Sequence, residues 1–219
     1  MNESSKCFHE KYSNEFESIR EKKTRLTYQV GENLFKQGAF APYVMYIIDG
    51  LVKVYLQTGY DKQINLRIAK KGDFLAFSSV FGENIYQYSA LALKDSTVCM
   101  IDKEALRKLL IEKPEFAMQI TSGNIRNENH LYEIIKNISY KQMRGKLASA
   151  VMYLSSEELI KEEVFKFLSR QDIADFASIS TESAIKFLKE FEKEKILKLN
   201  QKDIQIIDRN RLEEIEKRG

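Results

Sequence analysis

The sequence predicts an α+β chain: a β jelly roll first, then one long helix, then a small helical domain that closes on a β-hairpin. Three observations predict it. Six of the nine glycines (Gly31, Gly38, Gly50, Gly59, Gly72 and Gly82) fall in the first 90 residues, between short apolar runs. From Asp102 onward the apolar spacing changes from two to three and four, the period of a helix. Near the C-terminus, two apolar runs flank Asn200-Gln201-Lys202-Asp203, residues that favour a turn.

Composition sets the outer bounds. The 219 residues are 43% hydrophobic and 11% aromatic, enough for a core, so a disordered chain is excluded. Lys and Arg number 35 against 32 Asp and Glu, a net charge of +3 that excludes a polybasic tail or a strongly acidic protein. Cys7 and Cys99 stand far apart, with no CxxC or Cys/His cluster, so a zinc ribbon, a four-cysteine cluster and a disulfide scaffold are all excluded. The opening MNESSKCFHEKY lacks an apolar signal-peptide region, and no run reaches the length of a membrane span. A cytoplasmic location without membrane contact is therefore expected. With only two prolines, any joint between domains must be a helix or a short loop.

The strand candidates are Val44-Met45-Tyr46-Ile47-Ile48, Leu51-Val52-Lys53-Val54-Tyr55-Leu56, Ile64-Asn65-Leu66-Arg67-Ile68, Tyr88-Ser89-Ala90-Leu91-Ala92-Leu93 and Val98-Cys99-Met100-Ile101. Several alternate apolar with polar residues, as half-buried strands do. Asp49-Gly50, between two such runs, predicts a hairpin. Many short strands separated by glycines fit a small barrel or jelly roll.

The helices follow. Asp102 can cap a helix over residues 103–111, and Pro114 suits the first turn of a helix over 114–137. That second helix would be ~36 Å long at 1.5 Å per residue. Its residues Ala117, Ile120, Asn124, Asn127, Leu131, Ile134 and Ile138 alternate in steps of three and four, the seam of a coiled coil. Asparagine inside such a seam costs stability but sets register and oligomeric state. The stripe predicts a dimer helix; the alternative is an amphipathic helix packed on its own barrel. Residues 138–140 are read as the hinge beyond it.

The last third carries the most informative stretch. A helix is predicted over 143–154, then a short β-like piece, Phe165-Lys166-Phe167-Leu168. Ser169 and Asp172 have the spacing of a capping box, with Asp in place of Glu. The helix they start turns Ile173 and Ala177 inward. Ser178-Ile179-Ser180 makes a short turn, and Ser180 caps a second helix with Ala184, Leu188 and Phe191 inward. Thr181, Glu182, Ser183, Lys186 and Lys189 are left for its outer face. Helix, helix, helix, hairpin is the order of a winged helix-turn-helix, whose second helix reads base edges. Glu can accept from a cytosine amino group, Lys can reach guanine or phosphate, and Ser or Thr can serve either. Ser169, Arg170 and Gln171 start the first helix, where N–H groups and basic side chains meet phosphate. The bland alternative is a three-helix module with a solvated polar face.

Across nearly its whole length the chain resembles the CRP/FNR family of bacterial transcription regulators. Gly31-Glu32-Asn33-Leu34-Phe35-Lys36-Gln37-Gly38 is similar to the family's GExLFxxG turn, and Tyr46 to Tyr55, through Gly50-Leu51-Val52-Lys53-Val54-Tyr55, to its GxVKVY segment. Gly72-Asp73-Phe74 is similar to the opening of its ligand cassette, and Ser169-Arg170-Gln171-Asp172-Ile173-Ala174 to the start of its helix-turn-helix. The resemblance implies a cyclic-nucleotide-binding-like domain over 1–113, a dimerisation helix and hinge over 114–139, and a DNA-binding domain over 140–219. It also implies a homodimer on a near-palindromic double-stranded operator, with RNA polymerase as a further partner.

The departures concern the effector. Members that bind cyclic AMP follow GDF with Gly-Glu-Leu, whose Glu holds the ribose, and later carry Arg-Ser-Ala, whose Arg pairs with the phosphate. This chain has Ala76-Phe77-Ser78 and Tyr88-Ser89-Ala90 there. Leu131 and Tyr132 stand where hydroxyl residues that contact adenine are expected. Cyclic AMP is therefore not the expected effector. Phe77, Tyr86 and Tyr88, with Ser78, Ser79 and Ser89 as polar handles, are expected either to line a more apolar pocket or simply to fill the barrel. Cys7 alone cannot hold the cluster of the oxygen-sensing branch. Haem through His9, His130 or a cysteine, and a thiol switch on Cys7, are the sensor alternatives; no cofactor is expected.

In the recognition helix, Thr181-Glu182-Ser183-Ala184 stands where many members have Arg-Glu-Thr-Val, so the operator should differ at the base that Arg would read. Ser178 replaces the family's turn glycine and requires a negative φ or modest strain. No nucleophile–base pair or phosphate-binding glycine loop is present, so no enzyme is expected. The other class to weigh is an effector-binding module without DNA readout. From Tyr140 onward there are 16 basic and 15 acidic residues, so DNA binding should rest on a few placed side chains and show a modest salt dependence.

Overall fold

The computed structural model describes residues 19–60, 62–82 and 84–219, except for the side chains of Arg20 and of residues 124–128. Cys7 and His9 lie outside the described residues. The chain divides into two compact units, one ending at Asn129 inside a long helix and the other made of Gln63–Asn65 and His130–Gly219. Among the described residues no helix is long and apolar enough to cross a membrane.

Eight strands precede the helices: β1 (Lys23–Tyr28), β2 (Asn33–Phe35), β3 (Tyr43–Asp49), β4 (Leu51–Gly59), β5 (Lys62–Lys70), β6 (Phe74–Leu75), β7 (Ser89–Ala92) and β8 (Ser96–Asp102). They form two four-stranded sheets, β1-β8-β3-β6 and β2-β7-β4-β5, the strand order of a jelly roll. The predicted fold class is what the structure has.

The predicted hairpin at Asp49-Gly50 is not one. β3 pairs with β6 and β8, whereas β4 pairs with β7 and lies beside β5 in the other sheet. The chain crosses between the sheets at Gly50, which has φ +118° and where a Cβ would stand 2.2 Å from Ser96 Oγ. An Asp-Gly pair supplies positive φ equally well to a tight hairpin and to a sandwich corner.

The middle of β3 is buried on both faces, and so reads as a continuous apolar run. Alternation sends Met45 and Ile47 to one face and Val44 and Tyr46 to the other. Val44, Tyr46, Cys99 and Ile101 meet Leu106, Leu109 and Leu110 of α1 (Lys103–Glu112), with Phe116 and Ile120 of α2 (Pro114–Tyr140). Asp102 caps α1, its Oδ1 accepting the Ala105 N–H at 2.9 Å. Cys99 is buried in this core.

Helix α2 corrects two readings. It runs to Tyr140, so 138–140 is helical and the non-helical pair is Lys141-Gln142. No glycine or proline stands near residue 137 to stop it. The break is held from the C-terminal side: Lys141 Nζ bonds Glu216 and, at 2.8 Å, Ser149 Oγ, and the Gln142 N–H donates to Gly219 O.

The seam is also divided. Ile120 is buried and Ala117 packs against the same barrel core, while Ile134 and Ile138 line a small cleft with Ala150, Tyr153 and Phe176 of their own chain. Asn124 and Asn127 have side chains outside those described. Among the described side chains of α2, the exposed apolar ones are Met118, Leu131, Tyr132, Ile135 and the terminal Tyr140. A helix that is covered at both ends by its own chain puts its apolar stripe there, and presents a neighbouring face to solvent.

The second unit continues with α3 (Met143–Leu154), α4 (Glu157–Lys161), a 3-10 turn (Val164–Phe167), α5 (Arg170–Ala177), α6 (Thr181–Lys193), β9 (Leu197–Asn200), β10 (Asp203–Ile206) and α7 (Arg209–Arg218). The expected β-like piece at Phe165-Lys166-Phe167-Leu168 is that 3-10 turn. Its buried positions are Val164, Phe165 and Leu168, the spacing of a turn and not of a strand. Helix α7 escapes sequence reading because Leu212 is its single buried residue among charged neighbours. At the other end of the unit's core, Gly145 of α3 meets Gly219 so closely that a Cβ on Gly145 would stand 2.6 Å from Gly219 Cα.

The helix-turn-helix angle is set at Ser178. Its φ is +52° and ψ is 46°, a left-handed conformation, so the strained alternative is the one adopted. Its Oγ is buried and has no hydrogen-bond partner among the described residues. Both features cost energy, and glycine removes both. Ser178→Gly should therefore raise unfolding free energy by about 1–2 kcal/mol in urea denaturation; no change, or a loss, would mean that the turn relaxes another way.

Candidate nucleic-acid interface

Helices α5 and α6 are both started by serine. At α5 the capping box is complete: Ser169 Oγ accepts the Asp172 N–H at 3.0 Å, and Asp172 Oδ2 accepts the Ser169 N–H at 2.8 Å. Asp is a carbon shorter than the usual Glu, yet it closes the box here. At α6, Ser180 Oγ accepts the Ser183 N–H at 3.2 Å. Ile173, Ala174 and Ala177 of α5 pack inward, as do Ala184, Leu188 and Phe191 of α6. Ile173, Ala177, Ala184, Leu188 and Phe191 are the inward residues that the periodicity predicted; Ala174 and Asp175 are buried in addition.

The outer face of α6 follows from that packing. Glu182, Lys186 and Lys189 are exposed, and Thr181 and Ser183 half-buried. Ile185, which sequence reading passed over, is exposed beside them at 38%. The Glu182 carboxyl is held below its usual range, first by its own backbone N–H and then by the Ser180 hydroxyl, so it is ionised at neutral pH. Thr181 Oγ1 is joined to Gln171 Oε1, and Gln171 Nε2 donates to Asp175 Oδ1 at 2.7 Å. The predicted phosphate residue Gln171 and recognition residue Thr181 thus form one network across the two helices.

Arg170 is placed differently from the expectation that it meets phosphate. Its guanidinium donates to Gln201 O at 2.6 Å and Lys202 O at 3.5 Å, in the turn between β9 and β10. Desolvation lowers its pKa from the ordinary arginine value. Arg170 therefore ties the start of α5 to the tip of the wing. Lys198 and Lys202 are exposed on that hairpin, and only the turn composition pointed toward them. Sequence spacing could not show that residues 170 and 201 meet.

The residues predicted for an effector pocket fall into two groups. In the barrel, Phe35 stacks on Tyr86 with ring centroids 4.1 Å apart and lies 5.6 Å from Tyr88. Phe77 lies 6.1 Å from Phe74. Burial pushes the Tyr86 phenol up to about 12, and its hydroxyl donates to Tyr43 O at 3.3 Å. Ser79 Oγ donates to Ala76 O at 2.7 Å, and Ser89 Oγ accepts the Gln37 N–H at 3.0 Å. Two of the three polar handles are therefore engaged with backbone, and Ser78 is exposed. Leu131 and Tyr132 belong to the second unit and are exposed on α2.

Comparison with known proteins agrees with this architecture. The family model "Cyclic nucleotide-binding domain" matches residues 25–113, and "Crp-like helix-turn-helix domain" matches residues 145–215. The fumarate and nitrate reduction regulatory protein of Vibrio cholerae is 28% identical over 194 residues, covering 85% of this chain and 76% of that protein. The anaerobic regulatory protein of Bacillus subtilis is 25% identical over 173 residues, covering 77% and 73%. The structure of FixK2 from Bradyrhizobium japonicum superposes with a TM-score of 0.74 at 18% identity, over 89% of this chain and 97% of that one, which shows a shared fold. With a jelly roll, a long connecting helix and a winged helix-turn-helix in this order, and both domain models matched, the chain belongs to the CRP/FNR family of DNA-binding transcription regulators.

Proposed function

We propose that the chain works as a homodimer on a near-palindromic operator, and that its barrel does not respond to cyclic AMP. The observation that carries the DNA reading is the outer face of α6. Ionised Glu182, Lys186 and Lys189 stand exposed on the first turns of a capped helix whose opposite face is buried. A helix N-terminus of this kind enters the major groove, with Glu accepting from cytosine and Lys donating to guanine or phosphate. Ser169, Gln171, Ser180, Thr181 and Ser183 supply shorter polar groups on the same side of the motif. Arg170 acts through the wing, which it holds for backbone contact. RNA polymerase and a cytoplasmic setting accompany this reading, and no catalytic step is assigned to the chain.

Two copies meet, in this reading, along the α2 face that carries Met118, Leu131, Tyr132 and Ile135. These are large apolar side chains left in water on a helix of 27 residues. Recognition helices of a two-fold dimer then address half-sites about one DNA turn, ~34 Å, apart.

The barrel does not fit a cyclic phosphate. Tyr88 stands where the phosphate-pairing Arg is expected, and its hydroxyl accepts the Ala76 N–H at 2.7 Å. Burial raises its pKa, with Arg67 and the Ala76 N–H acting in the opposite direction, so it is neutral and brings no charge. The nearby cation, Arg67, is paired with Asp73 at 3.3 Å and donates to Phe74 O at 3.1 Å. Phe77 occupies the ribose-holding position and packs on Phe74. Drawing Arg67 away to a phosphate would leave Asp73 without its partner.

Three outcomes are expected. Alanine at Lys186 or Glu182 should weaken binding to an operator selected from random DNA by about 1–3 kcal/mol per half-site in fluorescence anisotropy, with the unfolding midpoint unchanged. Unchanged affinity would remove α6 from the interface. Ile135→Glu should convert a dimer into a monomer in sedimentation equilibrium, while a monomeric parent chain would refute the dimer outright. Calorimetric titration with cyclic AMP should give no saturable heat up to ~1 mM, and a Kd tighter than ~100 μM, about 5.5 kcal/mol, would overturn the effector reading.

A further inference from the structure

The second unit contains a groove that the DNA reading does not use. It lies between the segment that leads into α5 and the wing, and encloses about 580 Å³, within the range of small-molecule sites. Buried Val164, Phe165 and Ile204 form apolar walls. Ile160 and Ile207 stand on it 53% and 55% exposed, an unusual pairing of large side chains left in water.

One polar atom is out of keeping with these walls. Ser155, at the C-terminus of α3, also lines the groove and is only 2% exposed. Its Oγ has no hydrogen-bond partner among the described residues. A buried hydroxyl without a partner costs about 1–3 kcal/mol, and a ligand that reaches it recovers that cost. The hydroxyl can donate or accept, so it suits an N–H, an O–H or a carbonyl.

The charges on the groove select against an ionic ligand. Glu163 and Lys166 are paired with each other, and Arg209 is paired with Glu213 at 3.3 Å. Asp203 Oδ1 accepts the Ile204 N–H at 3.0 Å. The four charged side chains that line the groove are two of each sign, so they cancel. A protein partner could cover the two exposed isoleucines, but not place a group on a hydroxyl 2% exposed without a thin projection.

We propose that this groove binds a neutral, mostly apolar small molecule, with Ser155 Oγ as its one hydrogen-bonding point and Ile160 and Ile207 closing over its apolar body. The site is independent of the barrel and of the outer face of α6.

The test uses the full chain with isoleucine methyl groups labelled, titrated with indole, a neutral apolar probe that carries a single N–H. The expected result is saturable methyl shifts at Ile160, Ile204, Ile206 and Ile207. Ser155→Ala removes a hydroxyl that bonds nothing among the described residues, so it should fold normally and weaken indole roughly 3- to 10-fold. Ile207→Glu, at an exposed position, should weaken it at least as much. Shifts that do not saturate by ~5 mM, or that spread over isoleucines elsewhere, overturn the proposal, ~5 mM being weaker than about 3.1 kcal/mol of binding. So does an affinity that either substitution leaves unchanged.

Discussion

The recognition helix depends on what holds its far end. Glu194, the C-cap of α6, accepts from one nitrogen, Arg144 Nη2, on both carboxylate oxygens at 2.7 and 2.8 Å, and from Arg211 at 3.2 Å. Arg144 belongs to α3 and Arg211 to α7, so a single carboxylate fixes three helices. The Arg144 guanidinium also lies 5.1 Å from the centre of the Phe191 ring, over the apolar side of α6. Arg144 and Glu194 are about one-third exposed and Arg211 about half, so solvent screens part of the attraction. What the clasp contributes above all is direction. Three charge-assisted hydrogen bonds converging on one carboxylate restrict how α3, α6 and α7 can lie, and the outer face of α6 follows from that arrangement.

From this anchor the rest of the second unit is built outward. Ser180 caps the front of α6, Thr181 links it to Gln171, and Arg170 carries the same alignment to the wing turn. Behind the clasp, α7 brings Glu216 to Lys141 at the break after α2. Arg144, Glu194 and Arg211 thus orient the DNA-binding face without belonging to it, whereas Gln171, Ser180 and Thr181 both hold that face together and are among the groups proposed to meet DNA. This explains how a unit of nearly balanced charge can still present an ordered recognition surface.

The barrel shows the opposite arrangement, with polar groups turned to its own backbone. Tyr88, Ser79, Ser89 and Arg67 each hold a main-chain atom in place. Phe35, Tyr86 and Tyr88 stack inside. The resemblance places the phosphate-pairing Arg of cyclic-AMP-binding members at the position of Tyr88, whose hydroxyl accepts the Ala76 N–H here.

Much of this was legible in the residues alone. Glycine-spaced apolar runs, the change of period at Asp102, and serine caps at 169 and 180 depend on neighbours within four positions, and local chemistry determines them. The jelly roll, the helix-turn-helix and the outward set on α6 therefore emerge from sequence. Tertiary structure decided the features that depend on distant partners. Asp49-Gly50 turns a sandwich corner because Ser96 closes over it, and Ala117 and Ile120 leave the presumed seam because the barrel core takes them. Arg170 faces a wing that lies 31 residues away along the chain. Apolar periodicity shows which residues must be covered, but the covering partner is chosen only when the chain packs, by shape and by the hydrogen bonds left to satisfy.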